Sequence, residues 1–386
     1  MTSGSEKTMD LEIGRACPPD VGQEEALQLL MQAYPRPPSI ATPAPRAAQL
    51  SALASERDVN YRVGWEDTEY LLKIVNPAEP PEETDFQNAV LLHIGLTLPS
   101  LLSATSPGLL VPQPVPTLQG HHVLRHRCAA DGRWTPVRLL SWVPGVPVKL
   151  RIAASQGQPT DALRFNMGVA LATLDLALQG FSHPAGSRVF YWDIAHAPLL
   201  RPLLAYITED AEAQLIEALL ADFEQRVAPR LGLLRRQIIF NDLNPDNILC
   251  ASVDDDRISG IIDFGDAVEG TIAAELAVAA AYIFHSEPDP IASVAAFLRG
   301  FASVLPILQA EIEALFDLIR MRFVITLLIT GWRCRLHPDN ASYLMQWNRF
   351  SWAQLQRCAT MDPHSITSFF WDVVRSSSSP TTSIQE

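Results

Sequence analysis

Two short acidic motifs, each bordering an apolar run, constrain this chain more than any other feature. The first, residues 240–247, reads F-N-D-L-N-P-D-N, and the second, residues 262–266, reads I-D-F-G-D. Because both motifs lie at the edges of predicted strands, we expect Asp242, Asn247 and Asp263 to converge. Their oxygens suit Mg²⁺, which is held by a few protein oxygens together with phosphates and waters. The sequence therefore predicts a phosphoryl-transfer site in which Asp242 orients the acceptor hydroxyl and Asn247 and Asp263 hold Mg²⁺.

These motifs resemble the catalytic and metal-binding loops of the aminoglycoside phosphotransferase-like kinases, written there as H-G-D-x4-N and I-D-F/W. Asp242, Asn247 and Asp263 match that pattern, whereas Phe240 and Asn241 replace the usual His-Gly. Neither replacement removes an oxygen ligand, although Phe240 changes what braces the loop. The resemblance implies transfer of the γ-phosphoryl group of ATP or GTP to a hydroxyl, with Mg²⁺ as cofactor. The alternative, two unrelated acidic turns, is disfavoured by the order and spacing of the motifs.

The order of predicted elements fits an α+β, bilobal protein-kinase-like fold with a small β-rich N-terminal lobe and a large, mainly helical C-terminal lobe. Residues 1–48 are rich in proline and predict an extension or linker that contains a short helix. Residues 49–143 predict strands around one helix, the nucleotide-binding N-lobe. Residues 144–372 carry helical periodicity and predict the catalytic and substrate-binding C-lobe. The serine-rich residues 373–386 predict a disordered tail.

Composition excludes several classes of partner. The formal net charge is −14, and no cluster of Lys and Arg is present, so a nucleic-acid partner is not expected. No apolar run is long and uncharged enough to predict a membrane span. The N-terminus lacks the pattern of a signal peptide, and the five cysteines are scattered without metal-ligand spacing. These features predict a cytoplasmic protein, and no pattern indicates its oligomeric state.

Lys73 is the predicted nucleotide ligand of the N-lobe. The chain has only three lysines, and this one lies in a predicted strand. A compact ammonium can bind the α- and β-phosphates as a point charge. The family resemblance places its nucleotide lysine at the same position. It also implies that Ser55 and Asn60, in a loop without glycine, reach the phosphates, although a simple polar turn is the alternative.

Kinases of this type pair the lysine with a glutamate on the following helix. Gln87 falls at that position here, and it can hydrogen-bond an ammonium without neutralising it. Glu83 and Asp85 are nearby carboxylates that can compensate. Gln87 is therefore predicted to lie beside Lys73 in the nucleotide site.

Further runs resemble hydroxylysine kinases and their bacterial and fungal relatives. They include residues 70–76 (Y-L-L-K-I-V-N), 137–147 (V-R-L-L-S-W-V-P-G-V-P) and 191–200 (Y-W-D-I-A-H-A-P-L-L). Within the family, this group is the closest in these runs. The resemblance implies a small cationic hydroxylated amine or amino acid as the acceptor, with 5-hydroxylysine the named case.

A cationic acceptor needs a carboxylate or an aromatic face, because an ammonium desolvated without a partner is unfavourable. Asp266 and Glu269, which follow the metal loop, are the first predicted suppliers. Trp192 and Asp193 are the second pair, although a core aromatic and a helix cap are equally good interpretations of them. Glu275, in an alanine-rich helix, is predicted to be a structural partner for an arginine.

Two other functions stay open at this point. Phe240 and Gln87 depart from the family pattern, so a nucleotide-binding pseudokinase is one alternative. The other keeps the fold but activates a carboxylate by phosphorylation, and its product would not retain the phosphate. The acceptor and the choice between ATP and GTP depend on the pocket, which the spacing of residues does not reveal.

Overall fold

A computed structural model describes residues 16–37, 47–55, 57–101, 108–284, 289–338 and 341–377, with the backbone alone at residues 342, 343 and 377. The chain divides into two units, and along the chain the main division falls between Pro144 and Gly145. The smaller unit contains the described residues up to Leu96 together with Leu110–Pro144. The larger unit contains Thr97–Leu109 and the remainder from Gly145.

The smaller unit is built on one antiparallel sheet. Its strand order is β1-β2-β3-β6-β4, and β5 pairs with β6. Its elements, in chain order, are α1 (Gln23–Ala33), β1 (Gln49–Leu53), β2 (Val59–Trp65), β3 (Thr68–Ile74), α2 (Pro81–Leu101), β4 (Pro114–Val115), β5 (Leu124–Arg127) and β6 (Trp134–Ser141). The last turn of α2 belongs to the larger unit.

The alternation of side chains along β3 positions Lys73. Leu72 and Ile74 are fully buried in the core, so Lys73, between them, faces the other side of the sheet. The register places Asn60 of β2 and Arg138 of β6 opposite Lys73. Three polar side chains therefore lie side by side across the sheet.

The described part of the N-terminal segment is not a linker. Ala26 and Leu30 of α1 are fully buried in the same apolar cluster as Tyr61 and Val63 of the sheet. Tyr34, which follows α1, donates a hydrogen bond to the carbonyl oxygen of Val137 (3.2 Å). Residues 16–37 are thus part of the smaller unit, and this corrects the prediction of an extension over residues 1–48.

The larger unit is mainly helical and contains two short sheets. One sheet has the order β10-β9-β7 and the other pairs β11 with β8, all antiparallel. Its elements are β7 (Val146–Pro147), α3 (Val148–Ala154), α4 (Asp161–Leu178), α5 (Asp210–Asp222), α6 (Ala228–Leu231), β8 (Arg236–Ile239), β9 (Ile248–Cys250), β10 (Ile258–Ile261), β11 (Val268–Thr271), α7 (Ile272–Phe284), α8 (Pro290–Ala302), α9 (Gln309–Leu336), α10 (Ala341–Ala359) and α11 (Pro363–Ser377). A 3-10 segment, Ile194–Tyr206, precedes α5.

Helix α7 is buried along almost its whole length. Its alanines let neighbouring helices approach closely, and it packs against α8 and α9. Glu275 lies in this apolar environment with no exposed surface, so its carboxyl group needs polar partners within the protein.

The C-terminal helix differs from the sequence prediction. Helix α11 continues to Ser377, five residues into the segment predicted to be a disordered tail. Phe370 and Val374 are buried on one face of α11, and this packing stabilises a helix that composition alone does not predict. Residues 378–386 lie outside the described part of the chain. No described helix is both long enough and apolar enough to cross a membrane.

Candidate active site

A short hairpin brings the two acidic motifs together. Asn247 precedes β9 and Asp263 follows β10, and these two strands pair with Ile248 opposite Ile261. The amide of Ile262 also donates a hydrogen bond to the carbonyl oxygen of Asn247 (2.9 Å). Both predicted metal ligands therefore lie at the same end of the hairpin.

Asp242 is half-buried and receives three hydrogen bonds. The Nδ2 groups of Asn247 and Asn244 donate to its Oδ2 at 2.7 Å and 2.9 Å, and the hydroxyl of Tyr282 donates to its Oδ1 at 3.3 Å. Burial, followed by the charge of Asp266, raises the pKa of Asp242 well above its usual value, and the opposing Arg322 charge does not cancel the shift. Asp242 thus sits in an environment with excess negative charge.

The backbone at Asn241 explains the departure from the family motif. Asn241 has φ 64°, in the left-handed region that favours glycine and that asparagine also tolerates. Phe240, in place of the histidine, is fully buried, and its ring packs edge-on against Phe264 with centroids 4.9 Å apart. An apolar contact between the two motifs therefore braces this loop.

The side chain of Glu275 hydrogen-bonds the backbone of the same loop. Its Oε2 accepts a hydrogen bond from the amide of Asn241 (2.8 Å). Burial raises the pKa of Glu275 to about 7, although the hydrogen bonds from the backbone of Asn241 and Phe240 act to lower it. The prediction of an arginine partner for Glu275 is therefore wrong. The described partner of its carboxylate is the backbone of the loop at Asn241.

The residues present fit a Mg²⁺ site whose coordination shell is completed by phosphate oxygens. The Nδ2 of Asn247 is fixed by Asp242, whereas no described residue donates a hydrogen bond to its Oδ1. Asp263 is exposed and has φ 61°. The described residues contain no cluster of three His, Cys, Asp or Glu side chains suited to a metal. One amide and one carboxylate would therefore need nucleotide oxygens and waters to complete a coordination shell.

A buried arginine lies behind Tyr282. Arg322 of α9 is 3% exposed, and its Nη2 donates to the Tyr282 hydroxyl at 3.4 Å. Its Nη1 donates to the carbonyl oxygen of Trp192 at 2.9 Å, and its guanidinium lies over the Trp192 ring, 4.7 Å from the centroid. Trp192 is therefore connected to Asp242 through Arg322 and Tyr282.

The other predicted substrate residues have different surroundings. Asp266 is half-buried close to Asp242, whose pKa its charge raises. Glu269 lies on β11, and its carboxylate is 3.7 Å from the Arg236 guanidinium. Asp193 is buried, accepts a hydrogen bond from the amide of Ala195 and so caps the following 3-10 segment. The structure thus places Asp266 close to Asp242 and Trp192 against Arg322, whereas Glu269 forms an ion pair and Asp193 a cap.

In the smaller unit, Lys73 is paired with Asp58. Their Nζ and Oδ2 atoms are 2.8 Å apart, and Asp58 also accepts a hydrogen bond from the amide of Asn76 (2.9 Å). Ser55 is exposed, and its Oγ accepts a hydrogen bond from the amide of Asp58 (3.3 Å). The Oδ1 of Asn60 is buried without a hydrogen-bond partner among the described residues.

Gln87 does not take the predicted role. Its Oε1 accepts a hydrogen bond from Arg138 (2.8 Å) and its Nε2 donates to Glu79 (3.3 Å). The oxygen that was expected to meet Lys73 is therefore bonded to an arginine on the neighbouring strand. This finding corrects the prediction that Gln87 pairs with Lys73.

Three residues of these sites were missed by the sequence analysis. Asp58 lies between Ser55 and Asn60 in the loop for which a polar turn was the alternative, and it precedes the strand that pairs with β3. Tyr282 lies seven residues after Glu275 and hence on the same face of α7, a spacing that would have indicated it. Arg322 begins a stretch of α9 whose next residues, 323–332, carry no charge, and a charged residue at the edge of such an apolar run is a signal of a buried polar role.

Comparison with known proteins places these sites in a family. The model of the phosphotransferase enzyme family, APH, matches residues 49–310. Hydroxylysine kinase of Mus musculus is 28% identical over 352 residues, which cover 86% of this chain and 90% of that protein. Homoserine kinase of Methylocella silvestris is 31% identical over 229 residues, which cover 58% of this chain and 64% of that protein.

A solved structure is similar in fold. The microcompartment-associated aminopropanol kinase has a TM-score of 0.62 at 19% identity, and the match covers 87% of this chain and 97% of that chain. The predicted α+β class, with a small antiparallel-sheet unit and a mainly helical unit, is confirmed. Since the family model spans more than half of the sequence, the chain belongs to the phosphotransferase enzyme family and is a phosphotransferase with a hydroxyl acceptor.

Proposed function

We propose that this protein is a small-molecule kinase that transfers the γ-phosphoryl group of ATP or GTP to a hydroxyl of a small amine or amino acid, in the manner of a hydroxylysine kinase. The proposal includes Mg²⁺ as cofactor and a cytoplasmic site of action. The observation that carries it is the convergence of Asp242, Asn247 and Asp263 at one end of the β9–β10 hairpin. This is the set of oxygens that phosphoryl transfer needs.

Each residue has a defined role in the proposal. Asp242 orients the acceptor hydroxyl and accepts its proton, while Asn247 and Asp263 hold the metal. Bound Mg²⁺ would neutralise charge on the triphosphate. Lys73 binds the phosphates, with Ser55 and Asn60 as further ligands in the nucleotide loop. Direct transfer then depends on positioning and electrostatics and requires no covalent intermediate.

The excess of negative charge around Asp242 supports a cationic acceptor. Asp266 lies close enough to raise the pKa of Asp242, so an ammonium group bound at Asp266 would relieve repulsion between the two carboxylates. The Trp192 ring, which the Arg322 guanidinium overlies at 4.7 Å, is the aromatic group proposed to contact the acceptor. Glu269 and Asp193 are not included among the substrate residues.

A nucleotide-consumption screen tests the proposal. Purified protein with Mg²⁺ and either ATP or GTP is offered hydroxylysine, homoserine, ethanolamine, choline and an aminoglycoside, and products are identified by phosphorus NMR. We expect a phosphate ester of a small amine or amino acid, with the aminoglycoside a poor acceptor. Nucleotide binding without any turnover would favour the pseudokinase alternative, and a product that does not retain phosphate would favour carboxylate activation.

A modified acceptor tests the cationic class separately. N-acetylation of the acceptor's side-chain amine removes the positive charge that Asp266 is proposed to bind. Loss of a desolvated ion pair lowers specificity by about 100-fold or more, so kcat/KM should fall by that factor. Equal rates with the free and acetylated amines would contradict the cationic site while leaving the kinase proposal intact.

A further inference from the structure

Arg322 is a buried charge without an ion pair in the described part of the chain. Its guanidinium has two hydrogen bonds, to the carbonyl oxygen of Trp192 and to the hydroxyl of Tyr282, and no described carboxylate pairs with it. A guanidinium carries five N–H donors, so three remain after these bonds. Burying a charge without an opposite charge is unfavourable unless a ligand supplies one.

Three other arginines of the same unit with limited exposure have a described carboxylate partner. Arg151 lies 2.9 Å from Asp256, Arg164 lies 2.8 Å from Asp161, and Arg235 makes two hydrogen bonds to Glu311 at 2.8 Å and 2.6 Å. These arginines have their counter-charges within the protein. Arg322 differs from these three, because its charge acts on Asp242 and Glu275 without a described ion pair to either carboxylate.

The position of Arg322 relative to Asp242 suits a small acceptor. Tyr282 links the two, with 3.3 Å from its hydroxyl to Asp242 Oδ1 and 3.4 Å to Arg322 Nη2, so these two atoms are at most about 7 Å apart. A molecule that lies alongside Tyr282 can hydrogen-bond Asp242 through its hydroxyl and Arg322 through an anionic group, with contacts of about 2.8 Å at each end. A short hydroxyamino acid has the length to bridge such a gap.

We propose that Arg322 is the subsite for the acceptor's carboxylate, so that the enzyme phosphorylates a hydroxyamino acid in preference to the matching amino alcohol. This inference rests on the proposed function and names its substrate class. The guanidinium lies over the rings of Trp192 and Tyr282, 4.7 Å and 5.9 Å from their centroids, and its two hydrogen bonds fix its direction. A fixed, planar fork is the group best suited to bind a carboxylate through two parallel hydrogen bonds.

An alternative role for Arg322 is to balance the charge of Asp242 directly. In that role it would act on every acceptor equally, because Asp242 contacts the hydroxyl whether or not a carboxylate is present. A carboxylate subsite instead acts on one class of acceptor alone. The two roles are therefore separated by comparing acceptors and not by the loss of activity itself.

The first test uses the unmodified protein and matched acceptors. L-homoserine and 3-aminopropan-1-ol differ only by the carboxylate, and homoserine amide keeps the size of the acid without its charge. We expect kcat/KM for homoserine to exceed that for the other two by about 30-fold or more, the size of effect seen when one member of a buried charge pair is removed. 5-Hydroxylysine and its decarboxylated counterpart form a second matched pair. Comparable kcat/KM values within both pairs would overturn the inference and leave the proposed kinase function standing.

The second test changes the residue. Arg322→Met should lower kcat/KM for homoserine, through a higher KM, at least about 10-fold more than it lowers kcat/KM for 3-aminopropan-1-ol, because any loss that acts through Tyr282 and Asp242 falls on both acceptors alike. Arg322→Lys should restore part of the preference for homoserine. Arg320→Met is the matched control, because Arg320 lies on the same helix and is paired with Asp317 away from the site. An equal fall for both acceptors in Arg322→Met would show that Arg322 serves Asp242 alone and would overturn the inference.

Calorimetry keeps the two proposals distinguishable. If no acceptor is turned over, the proposed function fails, and binding of homoserine and 3-aminopropan-1-ol is then measured directly with a non-hydrolysable nucleotide present. Tighter binding of the acid, lost in Arg322→Met and kept in Arg320→Met, would support the carboxylate subsite. Absence of any such difference would overturn it.

Discussion

In the smaller unit Lys73 lies beside Asp58, whereas in the larger unit Asp242 shares its surroundings with Asp263 and Asp266. Burial acts against the charge of Asp58, but Lys73 and Arg57 outweigh it and hold the pKa of Asp58 below its usual value. Around Asp242, burial and the neighbouring carboxylates act together, and the pKa rises. Lys73 and Asp58 thus neutralise each other, whereas the Asp242 group has excess negative charge.

This difference separates a neutralised ion pair from a group of carboxylates whose charges repel each other. A matched ion pair gains little from an added cation, while a group of carboxylates is relieved by Mg²⁺ or by an ammonium. Glu275 and Asp175, both fully buried in the larger unit, extend the excess, because burial and the charge of Glu275 raise the pKa of Asp175 well above its usual value. The three predictions below test this comparison.

The largest effect is expected at Asp242. Asp242→Asn should lower kcat by about 10²–10⁴-fold, because the amide cannot accept the hydroxyl proton, while nucleotide binding survives. Steady-state kinetics and calorimetric titration with nucleotide measure the two properties. Asp246→Asn is the matched control, since this aspartate of the same loop forms an ion pair with Lys149. Undiminished turnover in Asp242→Asn would contradict the assignment.

The second prediction breaks the ion pair in the smaller unit. Lys73→Met leaves Asp58 buried and unpaired, so the free energy of unfolding should fall by about 3–5 kcal/mol, and nucleotide binding should weaken. The double variant Lys73→Met/Asp58→Asn removes both charges and should recover stability without recovering nucleotide binding. Chemical denaturation and nucleotide titration measure these changes. Equal stability of the single and double variants would show that the pair is not a buried, neutralised unit.

The third and smallest effect concerns the buried carboxyl group of Glu275. Its pKa is about 7 when folded against 4.5 as a free group, so the folded state binds its proton more tightly. The bound proton therefore contributes as much as about 3 kcal/mol to the free energy of unfolding. This contribution is fully present below about pH 4.5 and is lost as the pH rises through about 7.

Glu275→Gln should therefore reduce the decline in unfolding free energy between pH 4.5 and 7. Denaturation at a series of pH values measures this, with Glu313→Gln as a control that removes an exposed carboxylate paired with Arg230. A decline of the same size in Glu275→Gln and in the unmodified protein would assign the pH dependence to other groups. Among those other groups Asp175, whose pKa is also raised, would be the first to substitute.

The surroundings of Lys73 were predicted less well than the meeting of Asp242, Asn247 and Asp263, and the reason is the range of the contacts. Asp242, Asn247 and Asp263 are joined by one hairpin, so their spacing along the chain nearly determines their meeting. The partner of Lys73 depends on which strands pair and on how α2 packs. Sequence alone therefore suggested Gln87, whereas the strand β2 brings Asp58 to Lys73 and β6 brings Arg138 to Gln87.

Local sequence predicted most of the long helices, with α11 as an exception, and the strands of the small sheet. It also predicted the meeting of Asp242, Asn247 and Asp263, because periodicity and short hairpins act over few residues. The tertiary structure decided what surrounds them. Arg322, Tyr282 and Trp192 come from distant segments, and their contacts exist only because α7 and α9 pack together beside the turn that holds Trp192. Long-range packing sets burial and charge balance, and a linear sequence does not state which helices will be neighbours.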